Sequence, residues 1–342
     1  MAILAVVWGH FLYPVMLQEV YIFHVPLFFM VSGFFLSKKR DIGTFTVQKA
    51  KQLLLPYFLT AVGMLLVLYF QLVLKNGDFN ESKTLFMKRV LALIYGSGSP
   101  YECDAFSVLA TGPIWFLLSL FIGLIIVRVC ADFKWGFIPV IICMAAGYIT
   151  STFVWLPLSI QAGMVDAGYI YLGYLLKVAS NAVKEKIKDS ESKAPIIIEY
   201  VIEAVIMIGC FVALWFYLGK YKNIVLLSSN TFDNGYIDFL MTIGASLAVL
   251  LFCKLILSHI WGLKHALMYI GRNTLLILCF HSIDTIMFDW SFILDRFPTV
   301  TGYVLLLIYA LKIALYIVLV VIWNGCKALI NKYLIKQEEA GV

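Results

Sequence analysis

The chain has 342 residues, of which 62% are hydrophobic and 13% charged, with a formal net charge of +6, and its mean hydropathy is +0.93. A soluble domain carries roughly 45–50% apolar and about 25% charged residues, so this composition excludes a water-soluble globule. It also excludes a nucleic-acid binder, because no basic stripe alternates with aromatic residues on a polar surface. The charges cluster between long apolar blocks, each near the ~20 residues that cross a hydrocarbon core. The pattern predicts an all-α, polytopic transmembrane helical bundle forming a single domain over residues 1–342.

In chain order, the apolar runs predict about ten spans near 2–17, 21–37, 52–74, 112–130, 136–154, 158–177, 196–219, 236–257, 266–288 and 300–325. No basic residue precedes the first run and no small-residue cleavage site follows it, so it reads as a span and not a signal peptide. The sixth run is the most irregular, because WLPLSIQAG at 155–163 interrupts it with Pro157 and Gly163. The two longest polar connections are 75–111 and 178–195. When the loops are numbered alternately, one set (38–51, 128–135, 177–195, 254–272, 326–342) holds 18 of the 26 Lys and Arg residues. The other set holds 7, and Lys312 lies within a span. Cytoplasmic loops carry the positive excess, so both termini are expected in the cytoplasm. The basic link KKRDIGTFTVQKAK at 38–51 has a second reading, as a site for lipid headgroups or for the phosphates of a cytoplasmic ligand.

Ionisable groups at membrane depth are costly and are functional candidates by default. His10, His24 and His281 come from distant spans, yet all fall within roughly 5–12 Å of the same outer boundary at 1.5 Å per residue. Asp284 follows His281 by one turn. Lys312 lies well inside the last span and must find an acceptor or a water pocket. Asp166, Glu199, Glu203 and Asp238 sit near helix ends or breaks, where they can pair or snorkel. A neutral histidine can take a proton from a hydroxyl and return it to a leaving group, or be acylated itself. Against that, a histidine near an interface can simply bond a neighbouring carbonyl or water. There is no nucleophile-elbow Ser or Cys, no Gly-rich phosphate loop and no metal-ligand spacing, so no metal is expected. The seven cysteines have no zinc or redox spacing, and only Cys103 stands in a polar loop. Ser32-Gly33 reads as a small-residue pair for close helix packing.

The motifs GH at 9–10, FHVPLFFMVSGFFL at 23–36, LLLPYF at 53–58, GPIWFLLSLF at 112–121, GYIYLGYLLK at 168–177 and YIGRNTLLILCFHS at 269–282 follow one another in a fixed order. In that order the chain resembles the integral membrane acyltransferase family three, and within it the fucose 4-O-acetylase-like branch, over about residues 3–325. The resemblance implies a ten-span enzyme of a bacterial plasma membrane that acts on the cell envelope. It would take an acetyl or other acyl group from cytoplasmic acetyl-CoA to a hydroxyl of an extracytoplasmic or lipid-linked glycan or polysaccharide. It implies that His10 is the general base or the acyl-accepting residue and His24 its partner. Lys38, Lys39, Arg40, Lys49 and Lys51 would face the CoA phosphates. Trp115, His281 and Asp284 would contact the acceptor, Trp115 as a stacking surface for a sugar ring or else as an interfacial anchor.

Two positions depart from the family pattern. The family's first-span arginine would fall two residues before Met1, and the first span is short, so the resemblance implies a true start upstream. The arginine often found before LLxPY is replaced by Gln52, preceded by Lys51, which brings charge without a two-pronged geometry. A transporter or flippase and a non-catalytic membrane module are the alternative readings.

Overall fold

The computed structural model describes residues 1–11, 17–75, 79–102, 107–188, 194–290, 296 and 302–339. Fourteen α-helices carry the described residues: α1 (Ala2–Gly9), α2 (Leu17–Tyr21), α3 (His24–Phe34), α4 (Ile42–Lys49), α5 (Leu55–Lys75), α6 (Phe79–Tyr95), α7 (Trp115–Cys130), α8 (Phe137–Ser151), α9 (Ile160–Lys188), α10 (Ala194–Lys220), α11 (Tyr236–Leu255), α12 (Trp261–Arg272), α13 (Thr274–Met287) and α14 (Gly302–Glu339). One strand pair, β1 (Tyr101–Glu102) with β2 (Ser107–Val108), is antiparallel. Among the described residues, six helical segments are long and apolar enough to cross a membrane, and a seventh crossing results if α12 and α13, bent by 69°, count as one. The predicted Cys103 loop position and residues 12–17 of the first expected span lie partly outside the described residues: Cys103 and 12–16 are not among them.

Three connections expected as loops are helical. The basic link at 38–51 is an extended turn followed by α4, whose first turn is capped by the Asp41 carboxylate accepting from the Thr44 amide at 2.9 Å. A π-helical turn at Ala50–Leu54 carries α4 into α5 without a break. The 254–272 connection contains α12, and the 178–195 connection is largely the continuation of α9. The irregular sixth run is also resolved: Pro157 opens a short 3-10 turn, and α9 then runs 29 residues through Gly163.

That helix is the centre of the bundle, packing on α3, α7 and α8. Lipid tails are as apolar as leucine, so helices in a bilayer associate by close contact more than by water exclusion. Gly33 of α3 lies so near α9 that a Cβ there would sit 1.8 Å from the Ile170 carbonyl oxygen. Gly173 of α9 answers it: its Cβ would sit 1.8 Å from the Met30 carbonyl oxygen. The expected packing role of the Ser32-Gly33 pair is carried by the glycine.

Of the charged residues flagged near helix ends, Glu199 and Glu203 are ion-paired, whereas Asp238 and Asp166 are held by neutral donors, with Asp166 Oδ1 left without a partner among the described residues. Lys254 bonds Glu199 at 3.2 Å and Glu203 at 2.5 Å. Asp238, fully buried, accepts from the Tyr217 hydroxyl at 2.7 Å, the Asn223 amide at 3.0 Å and the backbone and side chain of Asn234. Asp166, also fully buried, accepts from the Ser119 hydroxyl at 2.5 Å.

Candidate active site

His10 closes α1 and His24 opens α3, and each uses its ring in the same way. The Nδ1–H of His10 donates to the Val6 carbonyl at 2.8 Å, and that of His24 to the Val20 carbonyl at 2.7 Å. A carbonyl oxygen only accepts, so in both rings Nδ1 carries the hydrogen and a neutral imidazole keeps its lone pair on Nε2. The tautomer follows from the bonding and is an assignment. Pro26 sits in the first turn of α3, where its missing N–H costs nothing. Tyr21 stands between the two histidines, with its ring centroid 6.1 Å from His10 and 4.8 Å from His24. His281 of α13 meets His10 edge to face, with centroids 5.4 Å apart. Three histidines scattered over the sequence therefore form one cluster.

Two cavities touch this cluster, and His10, His24, Val25 and Trp115 belong to the walls of both. The larger, about 570 Å³, follows α13 from Leu278 through Leu275 and Thr274 to Arg272. Its walls are apolar, with Ile3, Phe28, Leu53 and Phe116 among them, and its far end carries Lys51, Gln52 and Arg272. The smaller, about 280 Å³, lies past the histidines and meets α13 at Thr285 and Ile286. It is closed by two loops whose Ser99 and Ser228 hydroxyls bond each other at 2.7 Å. Since Leu278 and Thr285 flank His281 along one helix, the cavities lie on opposite sides of the histidine layer.

Lys51 and Gln52 reach the larger cavity because they stand in the π-helical turn. A π-turn adds a residue to the helical circuit, and such turns are frequent at functional sites. Lys51 is the only member of the predicted phosphate-binding set among the described residues lining that cavity. Lys39, Arg40 and Lys49 line a separate pocket of about 290 Å³, linked to Gln52 by a 3.1 Å bond from Lys49 Nζ. Arg40 also bonds the Gln48 amide. Lys38 is a tether: its Nζ donates to the Ala131 carbonyl at 2.6 Å and pairs with Asp132 at 3.0 Å. Arg128 pairs with the same Asp132 at 2.6 Å and donates to the Arg40 carbonyl at 2.8 Å. These two bonds, that from Arg128 foremost, hold the Asp132 carboxyl below its ordinary range.

Trp115 lines both cavities but is not an open platform. A Cβ on Gly98 would sit 2.3 Å from its Cδ1, so the loop backbone already covers that part of the ring. His281 and Asp284 stand one layer behind the walls: neither is among the described residues lining the two cavities. Lys312, which needed an acceptor, has it in Asp284 at 2.8 Å.

Four participants escaped the sequence reading. Arg272 looked like an ordinary loop cation, and only the bend between α12 and α13 sets it at the cavity end. Tyr21, Tyr316 and Trp290 were not singled out in the sequence at all. A tyrosine three residues before a membrane-depth histidine was the one available signal, at Tyr21.

Among the described residues, no group of three or more His, Cys, Asp or Glu side chains is arranged to hold a metal ion. A family model described as an acyltransferase domain matches residues 1–319. No curated protein and no solved structure matches the chain.

Proposed function

This chain belongs to the acyltransferase 3 family, and on that premise we propose that it is a membrane O-acetyltransferase whose transfer site is the histidine layer between the two cavities. The observation that carries the reading is that His10 and His24 stand in the walls of both cavities, each with a bare Nε2. The family match favours acyl transfer over transport and over a non-catalytic role.

The larger cavity suits the donor, acetyl-CoA. Lys51, Gln52 and Arg272 offer two charges and an amide to phosphate oxygens, and Lys39, Arg40 and Lys49 offer more through the adjoining pocket. Beyond them the apolar walls accept an uncharged arm. The smaller cavity suits the acceptor, a hydroxyl of an extracytoplasmic or lipid-linked glycan. The order of sequence motifs supports that class, through the resemblance to fucose 4-O-acetylases. Ten spans with both termini in a bacterial cytoplasm remain our reading of the topology, on the lysine and arginine asymmetry, with one domain over 1–342. Short helices such as α1 and α8 would count among those spans.

The donor supplies an activated acyl carbonyl. His10 Nε2 takes the proton of the acceptor hydroxyl as the hydroxyl oxygen attacks that carbonyl. It then returns the proton to the departing sulfur, so the base is regenerated as the C–S bond breaks and the ester forms. The Val6 carbonyl holds the opposite edge of the ring and accepts more strongly as the imidazolium develops. His24 Nε2 orients the hydroxyl from the other side, and the apolar wall keeps water from competing for the acyl group.

The test is acetyl transfer by the purified protein in lipid vesicles with labelled acetyl-CoA. His10→Ala is expected to fold and to bind donor, with turnover lowered by about 10²–10⁴-fold, the usual share of a general base. An unchanged turnover in that variant refutes the assignment.

A further inference from the structure

Behind His10 a line of buried groups runs from α13 to α14, in positions the reaction above does not use. Asp284 and Lys312 are nearly sealed from the surface, at 7% and 4% exposure. The Asp284 carboxylate takes three donors: Lys312 Nζ at 2.8 Å and the Tyr316 hydroxyl at 2.5 Å on Oδ2, and Trp290 Nε1 at 2.7 Å on Oδ1. Lys312 Nζ also lies over the Trp290 ring, 4.9 Å from its centroid, and over Phe11 at 5.9 Å. An ion pair at this depth is tolerated when its partners are well satisfied: here the carboxylate takes three donors, and the ammonium has the carboxylate and two aromatic faces.

The arrangement has a directional consequence. The Tyr316 hydroxyl owns a single hydrogen, and the short bond to the carboxylate claims it. Toward His281, whose Nδ1 is 3.2 Å away, the same oxygen can only accept. Nδ1 of His281 must then carry the ring hydrogen, leaving Nε2 bare, which is the state His10 and His24 reach through backbone carbonyls. Thr285 Oγ1, at 3.2 Å from Nδ1 and 3.5 Å from Nε2, is compatible with this by accepting at the first or donating to the second.

Resting on the acetyltransferase reading, we infer that Lys312, Asp284 and Tyr316 are positioning residues. They fix the tautomer and ring plane of His281, and His281 in turn backs the imidazole of His10 in its working orientation. Lys312 supplies the counter-charge that keeps Asp284 an acceptor, Asp284 commits the tyrosine hydrogen, and Tyr316 sets the histidine. The logic is that of a carboxylate orienting a catalytic histidine, with a tyrosine hydroxyl inserted between them.

Tyr316→Phe removes only the hydroxyl and leaves the ion pair in place. In that variant kcat is expected to fall at least about tenfold, as for a histidine released from its orienting partner. The donor KM is expected to stay unchanged, and the melting temperature to fall modestly with the loss of the buried bond to Asp284. In 15N-labelled protein the His281 nitrogens should report Nδ1–H in the wild type and a shift toward Nε2–H in the variant. A second variant, Asp284→Leu with Lys312→Met, discards both charges together so that neither is stranded. There the Tyr316 hydrogen is freed to donate to Nδ1, and the His281 spectrum is expected to show Nε2–H fully. Wild-type nitrogen signals in both variants overturn the inference. If the wild-type protein transfers no acetyl group, the acetyltransferase reading fails while the nitrogen spectra still decide on the relay.

Discussion

Replacing Gly33 by alanine should disable the protein from a position that touches no substrate. The new Cβ would sit 1.8 Å from the Ile170 carbonyl oxygen and 2.7 Å from its carbon, where contacts below 3.0 Å do not survive. The two helices must therefore part by about 1.2 Å, the difference between those limits. Both partners are backbone, so no flexible side chain can yield. Overpacking a tight core costs about 1–3 kcal/mol, and backbone against backbone belongs at the upper end. His24 rides on α3, so its imidazole moves with the helix, and misplacement by ~1 Å can lower a rate about 10²-fold. Thermal unfolding in detergent, with turnover measured well below the transition, checks both effects. Gly209→Ala on α10 is the control, since no atom lies within 4 Å of the added carbon. If Gly33→Ala melts and turns over like Gly209→Ala, the contact between α3 and α9 is not what positions His24.

Arg272→Gln is expected to raise the donor KM by roughly 10–100-fold, the worth of a charge-assisted hydrogen bond at ~1.5–3 kcal/mol, with kcat little changed; an unaltered KM removes Arg272 from the donor site. Asp132→Asn tests the tether between Lys38 and Arg128. The folded carboxyl titrates below its ordinary value, so its contribution is present above the unfolded value of about 3.9 and disappears as pH falls through the lower folded one. The melting-temperature gap between wild type and variant should therefore close on acidification below about pH 4. A gap that stays constant well below about pH 4 contradicts the tether.

The membrane class and the three histidines were legible because both are one-dimensional signals, a hydropathy run and a rare residue at a common depth. Their convergence was only half legible: depth can be counted along a helix, but rotation about its axis cannot. That is why His281 was expected on the acceptor and stands instead behind His10. Lys312 announced that it needed a partner, and Asp284 was noticed in its own right, yet nothing in the sequence joins positions 28 residues apart on two helices. The arrangement of the cations at 38–51 was not legible for another reason. Read as a loop, they form one cluster. Folded, Asp41 starts a helix in the middle of them, and Lys38, Lys49 and Lys51 leave in different directions. The reciprocal glycines 33 and 173 were legible only as small residues, because each is explained by a carbonyl of the other helix.

The π-helical turn at Ala50–Leu54 makes the charge at the donor end a matter of counting. The π-turn holds one residue more than an α-turn, so a chain shortened by one residue there can wind as ordinary α-helix, and the residues of the turn shift by up to about 100° each about the axis. Lys51 and Gln52 would then leave the cavity wall without any change in the amino acids that form it. In this stretch an insertion or deletion is a harsher mutation than most substitutions, and two descendants of one gene that differ there by a single codon would inherit the same side chains and different donor sites.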